Sequence, residues 1–203
     1  RKAVIPAAGL GTRVLPATKS IPKEMLPLAD QPTIQYVVEE AVASGVSHIT
    51  MVTSRGKRAL EDYFDAAPEL RALVERKGDA KMLARLDALE TLASISFIRQ
   101  RQPRGLGHAV LVARELVCNE PFGVLLGDDL VYNDERPCLR QLMDVHARCG
   151  GCVLAVMRVP REQIARYGIV ALGTERGPDA RTHRVTGLVE KPPVEEAPSG
   201  LAV

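Results

Sequence analysis

Short apolar runs alternate along this chain with longer segments, and the two differ in the spacing of their hydrophobic residues. The short runs are rich in β-branched residues and are bounded by Pro, Gly or polar residues, which predicts buried strands. These strands are predicted at 3–6, 48–53, 94–99, 122–126, 152–159, 169–172 and 185–189. The longer segments repeat their apolar residues every three or four positions, which predicts helices. These helices are predicted at 32–44, 57–92, 106–117 and 137–148.

This alternation predicts the fold class. Strands that alternate with helices form a mostly parallel sheet, because each parallel pairing needs a crossover connection that a helix commonly supplies. Helices then cover both faces. We therefore predict the α/β class, with a Rossmann-like, mostly parallel mixed β-sheet, in a single domain over 1–203. Ligands bind beyond the carboxyl ends of the strands in such sheets, so the functional loops should be those that follow strands.

The overall composition excludes several classes of protein. Hydrophobic residues make up 46% of the chain and charged residues 26%, which provides enough apolar material for a core and argues against disorder. The net charge is only +2, aromatic residues make up 3% and there is no Trp, so we expect no nucleic acid polymer as a partner. No run approaches the ~20 apolar residues that span a bilayer. The four cysteines do not indicate a secreted disulfide scaffold, and we expect a cytoplasmic protein.

A glycine-rich loop follows the first predicted strand. Gly9 and Gly11 allow backbone N–H groups to approach an anion, and Arg13 adds a planar cation suited to phosphate oxygens. The third glycine of a dinucleotide fingerprint is absent, and Thr18 stands where a Walker loop needs glycine. Taken alone, the loop is either a phosphate-binding loop of another kind or an ordinary glycine turn.

The longer run around this loop decides between the two. Residues 9–27, GLGTRVLPATKSIPKEMLP, resemble the signature of the sugar nucleotidyltransferases, and within them the glucose-1-phosphate uridylyl branch. The thymidylyl relatives usually carry an Ala-Gly-Gly start and a Lys-Gln pair, where this chain has Ala7-Ala8-Gly9 and Lys23-Glu24. The resemblance covers residues 2–203, and it implies that a further C-terminal segment follows in the family.

The resemblance implies a reaction. A uridylyl group passes from UTP to glucose 1-phosphate, giving UDP-glucose and pyrophosphate, by Mg²⁺-assisted in-line attack of the sugar phosphate on the α-phosphate of UTP. Chemistry of this type depends on positioning and on cancellation of charge more than on a protein nucleophile. The implied partners are the two small-molecule substrates and further copies of the chain, in a homo-oligomeric dimer or tetramer.

The resemblance also assigns site residues. Among the catalytic ones, Arg13 stabilises the leaving pyrophosphate, Lys23 holds phosphates at the reacting centre and Lys191 grips the sugar phosphate. The implied nucleotide contacts are Ala8, Gly9, Gly11, Thr12, Glu24, Gln102 and Gly107. The implied sugar contacts are Gly168, Glu190 and Lys191, and the implied ligand of Mg²⁺ is Asp128. Two of these roles suit the chemistry of the residue. The amide of Gln102 offers a donor and an acceptor to uracil, and the carboxylate of Asp128, at a strand end, suits Mg²⁺.

A Cys-Gly-Gly-Cys run at 149–152 is compatible with a metal or redox role. Zinc needs about four ligands, and a second pair at suitable spacing is absent from the sequence. A redox pair normally opens a helix, whereas this one enters a predicted strand. We therefore expect ordinary thiols. Ser54 is a departure from the family, which usually has Gly at this position.

Three other functions compete with the uridylyl reaction. The first is another sugar-1-phosphate nucleotidyltransferase of the thymidylyl type, since uracil and thymine differ by one methyl group, worth only ~1–3 kcal/mol of discrimination. The second is a glycosyltransferase with a similar sheet, in which Arg13 and Lys23 would have no pyrophosphate to bind. The third is an inactive nucleotide-sugar-binding regulator, against which the intact Arg13, Lys23, Asp128 and Lys191 argue.

Overall fold

The computed structural model of the protein describes residues 1–133 and 135–203, which form two compact units, Arg1–Leu139 and Arg140–Val203. In chain order the helices are α1 (Thr33–Ala43), α2 (Arg58–Phe64), α3 (Pro68–Lys77), α4 (Ala80–Glu90), α5 (Leu106–Val112), α6 (Arg114–Val117) and α7 (Cys138–Cys149). Short 3₁₀ turns lie at Thr12–Val14, Ala17–Lys19, Lys23–Met25, Arg161–Arg166 and Val194–Glu196. Within the described part of the chain, no helix has the length and apolar content that spanning a membrane requires. The single domain predicted over 1–203 stays a prediction.

The first unit is built on a parallel sheet of four strands. In chain order its strands are β1 (Lys2–Pro6), β2 (Pro27–Leu28), β3 (Gln31–Pro32), β4 (His48–Thr53), β5 (Ser94–Arg99) and β6 (Phe122–Val124). Four of them lie side by side in the order β5-β4-β1-β6 and run parallel, whereas β2 and β3 form a separate antiparallel pair. Because the four strands are parallel, the loops that follow them all leave the same edge of the sheet.

Helices cover both faces of this sheet. Val4 of β1 and Val52 of β4 belong to one buried cluster with the segment formed by α5 and α6. Side chains alternate between faces along a strand, so Ile5 lies on the opposite face. On that face Ile5 and Ile34 of α1 both approach Gly127, at 3.6 and 3.4 Å from the position of a Cβ built on it. The predicted α/β class with a parallel sheet between helices is confirmed.

The second unit contains an antiparallel sheet. Its strands are β7 (Met157–Arg158), β8 (Gly168–Arg176), β9 (His183–Glu190) and β10 (Leu201–Ala202), adjacent in the order β7-β10-β8-β9. The turn that joins β8 to β9 is organised by the carboxylate of Asp179. This carboxylate accepts hydrogen bonds from the Thr182 hydroxyl at 2.7 Å and from Arg148 at 2.9 Å. Both contacts favour the charged form and lower the pKa of Asp179 to about 2.

The predicted helix over 57–92 is divided into α2, α3 and α4. Pro68 begins α3, in the first turn where a missing N–H is tolerated. Gly78 ends α3 with a φ of 69°, a conformation that favours glycine. Asp79 then caps α4, since its side chain accepts a hydrogen bond from the Met82 backbone N at 3.0 Å. These signals interrupt the helix although the apolar spacing continues through them.

The strand predicted over 152–159 is mostly absent. Within the described residues, this segment forms only the two-residue strand β7, which pairs with β10. A strand needs a partner for its backbone N–H and C=O groups, and an apolar run does not specify that partner. The strand prediction was therefore wrong for residues 152–156 and 159.

Candidate active site

Residues 7–26, here called the phosphate loop, follow β1 at the carboxyl edge of the parallel sheet. The loop begins in register with the sheet, because Ala7 N donates to Val52 O at 2.8 Å. Gly11 has a φ of 68°, and a Cβ built there lies 3.1 Å from Thr18 Cγ2. The Thr18 hydroxyl donates to the Gly11 carbonyl oxygen at 2.7 Å. Both the backbone conformation and the close approach of Thr18 therefore require glycine at position 11.

Most of the predicted phosphate contacts are accessible on this loop. Gly9, Thr12 and Arg13 are exposed and Gly11 is half-buried, whereas Ala8 is buried. Arg13 lies in the 3₁₀ turn that follows Gly11. Its planar guanidinium offers several N–H donors in a fixed geometry, beside backbone amides that glycine leaves uncovered. The loop can therefore bind an anion with several oxygens.

A lysine of the phosphate loop reaches the aspartate that follows β6. Lys23 Nζ lies 2.7 Å from Asp128 Oδ2, although the two residues are 105 positions apart in the sequence. The Lys23 side chain also passes beside Gly9, where a built Cβ lies 3.7 Å from Lys23 Cε. The structure thus brings three predicted site residues together. An ammonium and a carboxylate beside an anion-binding loop can hold phosphate and a divalent cation at the same place.

The carboxylate of Glu24 lies in the core of the first unit. Its side chain is 0% exposed, and Lys57 Nζ, on a side chain that is 7% exposed, lies 2.6 Å from Glu24 Oε2. The sequence predicts a nucleotide contact for Glu24. The structure gives it an ion pair with Lys57, because a buried carboxylate needs a cation nearby. The nucleotide contact stays a prediction.

The loop after β5 and the first turn of α5 carry the two residues predicted to contact uracil. Gln102 and Gly107 are both exposed, and a Cβ built on Gly107 meets no other atom within 4 Å. The loop is held by the buried amide of Gln100, whose Nε2 donates to Gly105 O at 3.1 Å and lies 2.9 Å from His108 Nδ1. His108 therefore supports the loop, and Gly107 leaves open space beside its backbone.

The three predicted sugar contacts come together in the second unit. Gly168 at the start of β8 pairs with Glu190 at the end of β9, and a Cβ built on Gly168 lies 3.4 Å from Glu190 Oε2. Lys191 follows with a φ of 47°, and its Nζ lies 2.7 Å from Glu190 Oε1. Adjacent residues of a regular strand point to opposite faces. The left-handed backbone at Lys191 brings the two side chains to the same side, as one ligand would require.

The two cysteines at the end of α7 are exposed free thiols. Cys149 ends the helix, and Gly150 and Gly151, with φ of 65° and 66°, separate it from Cys152. Cys138 at the start of α7 is less exposed, and burial raises the pKa of its thiol, with smaller contributions from Glu40 and Asp129.

We expect that serine at both Cys149 and Cys152 will leave kcat within about twofold of the parent value, since exposed thiols without a metal make small contributions. The purified protein should contain no stoichiometric zinc. Steady-state kinetics of the double variant and elemental analysis of the parent protein check this prediction. One zinc per chain in the parent, lost in the variant, would assign the pair a metal site.

A family model described as nucleotidyl transferase matches residues 2–203, which includes both compact units and every candidate site residue. The chain belongs to the nucleotidyltransferase family.

Individual relatives of this nucleotidyltransferase include an enzyme of Bacillus subtilis (strain 168) named UTP–glucose-1-phosphate uridylyltransferase. That protein is 52% identical over 203 residues, which are 100% of this chain and 68% of the relative. The UTP-bound UGPase from Acinetobacter baumannii is 42% identical with a TM-score of 0.93, and the match covers 100% of this chain and 72% of that one. A UDP-glucose pyrophosphorylase complexed with UDP-glucose is 39% identical with a TM-score of 0.86, covering 100% of this chain and 73% of that one.

The residues around Asp128 fit a divalent cation that is shared with a substrate. The Asp128 side chain is 45% exposed, and a lysine already lies beside it. Within the described residues, no group of three or more His, Cys, Asp or Glu side chains could hold a metal by itself. Mg²⁺ usually binds one or two carboxylates, with substrate phosphates and water completing its coordination. Asp128 would therefore supply one carboxylate of such a site, and nucleotide phosphates would have to complete it.

Sequence reasoning missed three residues that support the nucleotidyltransferase site. The Ser54 hydroxyl donates to Ala8 O in the phosphate loop at 3.0 Å, Lys57 binds Glu24, and Gln100 holds the loop after β5. Ser54 was noted only as a departure from the family, whereas Lys57 left a physical signal in the sequence. It stands at the N-cap position of α2, where the helix dipole disfavours a cation, so a partner elsewhere could have been expected.

Proposed function

We propose that this enzyme transfers a uridylyl group from UTP to glucose 1-phosphate, giving UDP-glucose and pyrophosphate. The observation that carries the proposal is the contact between Lys23 and Asp128 beside Gly9, which assembles an ammonium, a carboxylate and a glycine backbone at one place. The 52% identity to a Bacillus subtilis enzyme of that name supports the choice of substrates.

The phosphate loop binds the triphosphate of UTP in this proposal. The backbone of Ala8, Gly9, Gly11 and Thr12 holds the phosphate oxygens through its N–H groups. A sugar-phosphate oxygen attacks the α-phosphorus of UTP, and the bond from that phosphorus to the pyrophosphate oxygen breaks. Negative charge grows on the leaving pyrophosphate during this step. Arg13 is the exposed guanidinium of the loop, and it stabilises that charge.

Lys23 holds the α-phosphate against the attacking group. Two anions repel each other in this reaction, so a cation between them lowers the barrier through both position and charge. Asp128, 2.7 Å from the ammonium, keeps Lys23 extended across the loop before substrate binds. Asp128 would hold Mg²⁺, and the ion would supply positive charge against the nucleotide phosphates.

The loop after β5 selects the base. The Gln102 amide has a donor and an acceptor for the edge of uracil, and Gly107 leaves room for the ring next to the backbone. Neither feature excludes the extra methyl group of thymine, so we expect weak discrimination between the uracil and thymine bases. The nucleotide contact predicted for Glu24 would require its carboxylate, which is 0% exposed and paired with Lys57, to become accessible.

Gly168, Glu190 and Lys191 bind glucose 1-phosphate. The Glu190 carboxylate accepts hydrogen bonds from glucose hydroxyls, and the Lys191 ammonium binds the sugar phosphate. The Lys191 Nζ and Glu190 Oε1 atoms lie 2.7 Å apart, so a single ligand can contact both groups. Gly168 leaves space beside Glu190 for the sugar.

Variants of Glu190 and Lys191 should separate sugar binding from nucleotide binding. We expect Lys191→Ala to raise KM for glucose 1-phosphate and to lower kcat, because the sugar phosphate is the nucleophile and its placement is part of the barrier. Glu190→Gln should mainly weaken sugar selection. Titration calorimetry in Mg²⁺ should then find weaker binding of UDP-glucose and unchanged binding of UTP. Equal losses for both ligands would assign these residues to the nucleotide or to the fold.

Pyrophosphate release tests the proposed function as a whole. The full-length protein should release pyrophosphate with UTP and glucose 1-phosphate together and almost none with UTP alone. A faster reaction with dTTP than with UTP would favour the thymidylyl type, and binding without release would favour a regulator. We also propose a cytoplasmic homo-oligomer, a dimer or tetramer, which light scattering after gel filtration can measure.

A further inference from the structure

The ion pair between Glu24 and Lys57 is the most deeply buried charge in the first unit's candidate site. Both side chains are nearly free of solvent contact, and their charged atoms are 2.6 Å apart. Glu24 Oε1 is buried and has no hydrogen-bond partner among the described residues. Removing two charges from water is costly, and an unpartnered oxygen adds to that cost. Such a pair adds little to the stability of the fold, so its role is sought in the two segments that it joins.

The pair joins the phosphate loop to the residues that follow β4. Glu24 lies in the 3₁₀ turn Lys23–Met25, directly after the lysine that reaches Asp128. Lys57 lies at the other side of the junction, at the N-cap of α2. The start of the phosphate loop is fastened to the same segment, because the Ser54 hydroxyl donates to Ala8 O at 3.0 Å.

Glu24 also contacts the segment that carries Asp128. A Cβ built on Gly127 lies 3.0 Å from Glu24 Cγ, so the Glu24 side chain fills the space that a larger residue at position 127 would need. Position 127 immediately precedes Asp128. One buried side chain therefore follows Lys23 in the sequence and packs against Gly127, the residue that precedes Asp128.

We propose that Lys57 is a positioning residue for the transfer reaction. By binding Glu24 in the core, it fixes the turn from which Lys23 extends and the backbone that presents Asp128. The proposal rests on the proposed function, because it assigns to Lys57 an effect on the reaction that passes through Lys23. Lys57 itself is almost fully buried, so its proposed effect on the reaction passes through Glu24 and not through a substrate contact.

The charge-free variant Lys57→Met/Glu24→Met tests this proposal. Lys57→Met alone leaves a buried unpaired carboxylate and can fail to fold, whereas replacing both partners by apolar side chains of similar size is often neutral for stability. We expect the double variant to fold with a Tm near that of the parent and a kcat lower by about 10–10², the scale of a small misplacement of a catalytic group. Arg58→Met is the matched control, since Arg58 is the next residue, is exposed and forms an ion pair with Asp62 at 3.4 Å on the surface of the same helix.

A second substitution separates positioning from a general effect on the fold. Lys23→Met should lower kcat in both backgrounds, but the factor should be at least ten times smaller in the charge-free background than in the parent. The misplaced lysine has already lost most of its effect there. If the folded charge-free variant kept the parent kcat, or if Lys23→Met cost the same factor in both backgrounds, the proposal would be overturned.

Chemical labelling of Lys23 gives a readout that does not depend on activity. Acetylation of Lys23, followed by mass spectrometry of peptides, should be several times faster in the charge-free variant, where the contact with Asp128 is loosened, and unchanged in Arg58→Met. Equal labelling rates in parent and charge-free variant would contradict the proposal. If the three proteins label as expected but the parent protein releases no pyrophosphate, the proposed function is contradicted instead.

Discussion

Replacement of Arg13 by alanine should lower kcat by about 10²–10³, the usual effect of removing one preorganised donor to developing charge. Arg13 is exposed in the 3₁₀ turn that follows Gly11, so its side chain is available to the leaving pyrophosphate and supports little of the core. Arg13→Lys should recover only part of the rate, because an ammonium lacks the planar pair of donors that binds two phosphate oxygens.

Initial rates at saturating UTP and glucose 1-phosphate measure this effect. Arg55→Ala is a suitable control, because Arg55 is also exposed and follows β4 at the same edge of the sheet. We expect Arg55→Ala to keep nearly the parent rate. Arg13→Ala and Arg55→Ala should both keep the parent Tm. Nearly full kcat in Arg13→Ala would remove Arg13 from the catalytic residues.

Replacement of Lys23 by methionine should also lower kcat by about 10²–10³, with a folded protein. Methionine keeps most of the aliphatic side chain that passes beside Gly9 and removes the charge that lies 2.7 Å from Asp128. The lost ion pair is partly exposed and contributes only about 0–1 kcal/mol to stability. A large loss of rate with a small change in Tm would therefore reflect the reaction.

Lys2→Met is the matched control for Lys23→Met. The Lys2 side chain is 24% exposed, close to the 25% of Lys23, and it also forms an ion pair, with Glu120 at 3.3 Å. Lys2 begins β1, at the end of the strand opposite to the phosphate loop. The control should keep the parent kcat. A similar loss of kcat in both variants would mean that the ion pairs act through the fold.

Some elements of the fold could be predicted from sequence almost to the residue. The bounds of β4 and β5 agree with the predicted 48–53 and 94–99, because both are regular strands in register with each other along their whole length. The run at 152–156 has the same apolar character but is not a strand, since pairing depends on segments far away in the sequence.

The candidate site shows a similar division. The residue types and the strand edge could be predicted from the motifs, and the 2.7 Å contact of Lys23 with Asp128 follows from loops that leave one edge of a parallel sheet. The burial of Glu24 could not, because charged residues are seldom fully buried and its partner Lys57 is 33 positions away. A motif specifies which side chains are present, whereas burial depends on what packs around them.

The fate of ¹⁸O from the phosphate of glucose 1-phosphate tests the central claim most directly. If the sugar phosphate attacks the α-phosphorus of UTP, its non-bridging label must remain in the sugar nucleotide and the pyrophosphate must be unlabelled. Mass spectrometry of both products after reaction with Mg²⁺ and UTP measures this distribution. We predict fully labelled UDP-glucose and unlabelled pyrophosphate. Label in the pyrophosphate, or no labelled UDP-glucose at all, would contradict the account.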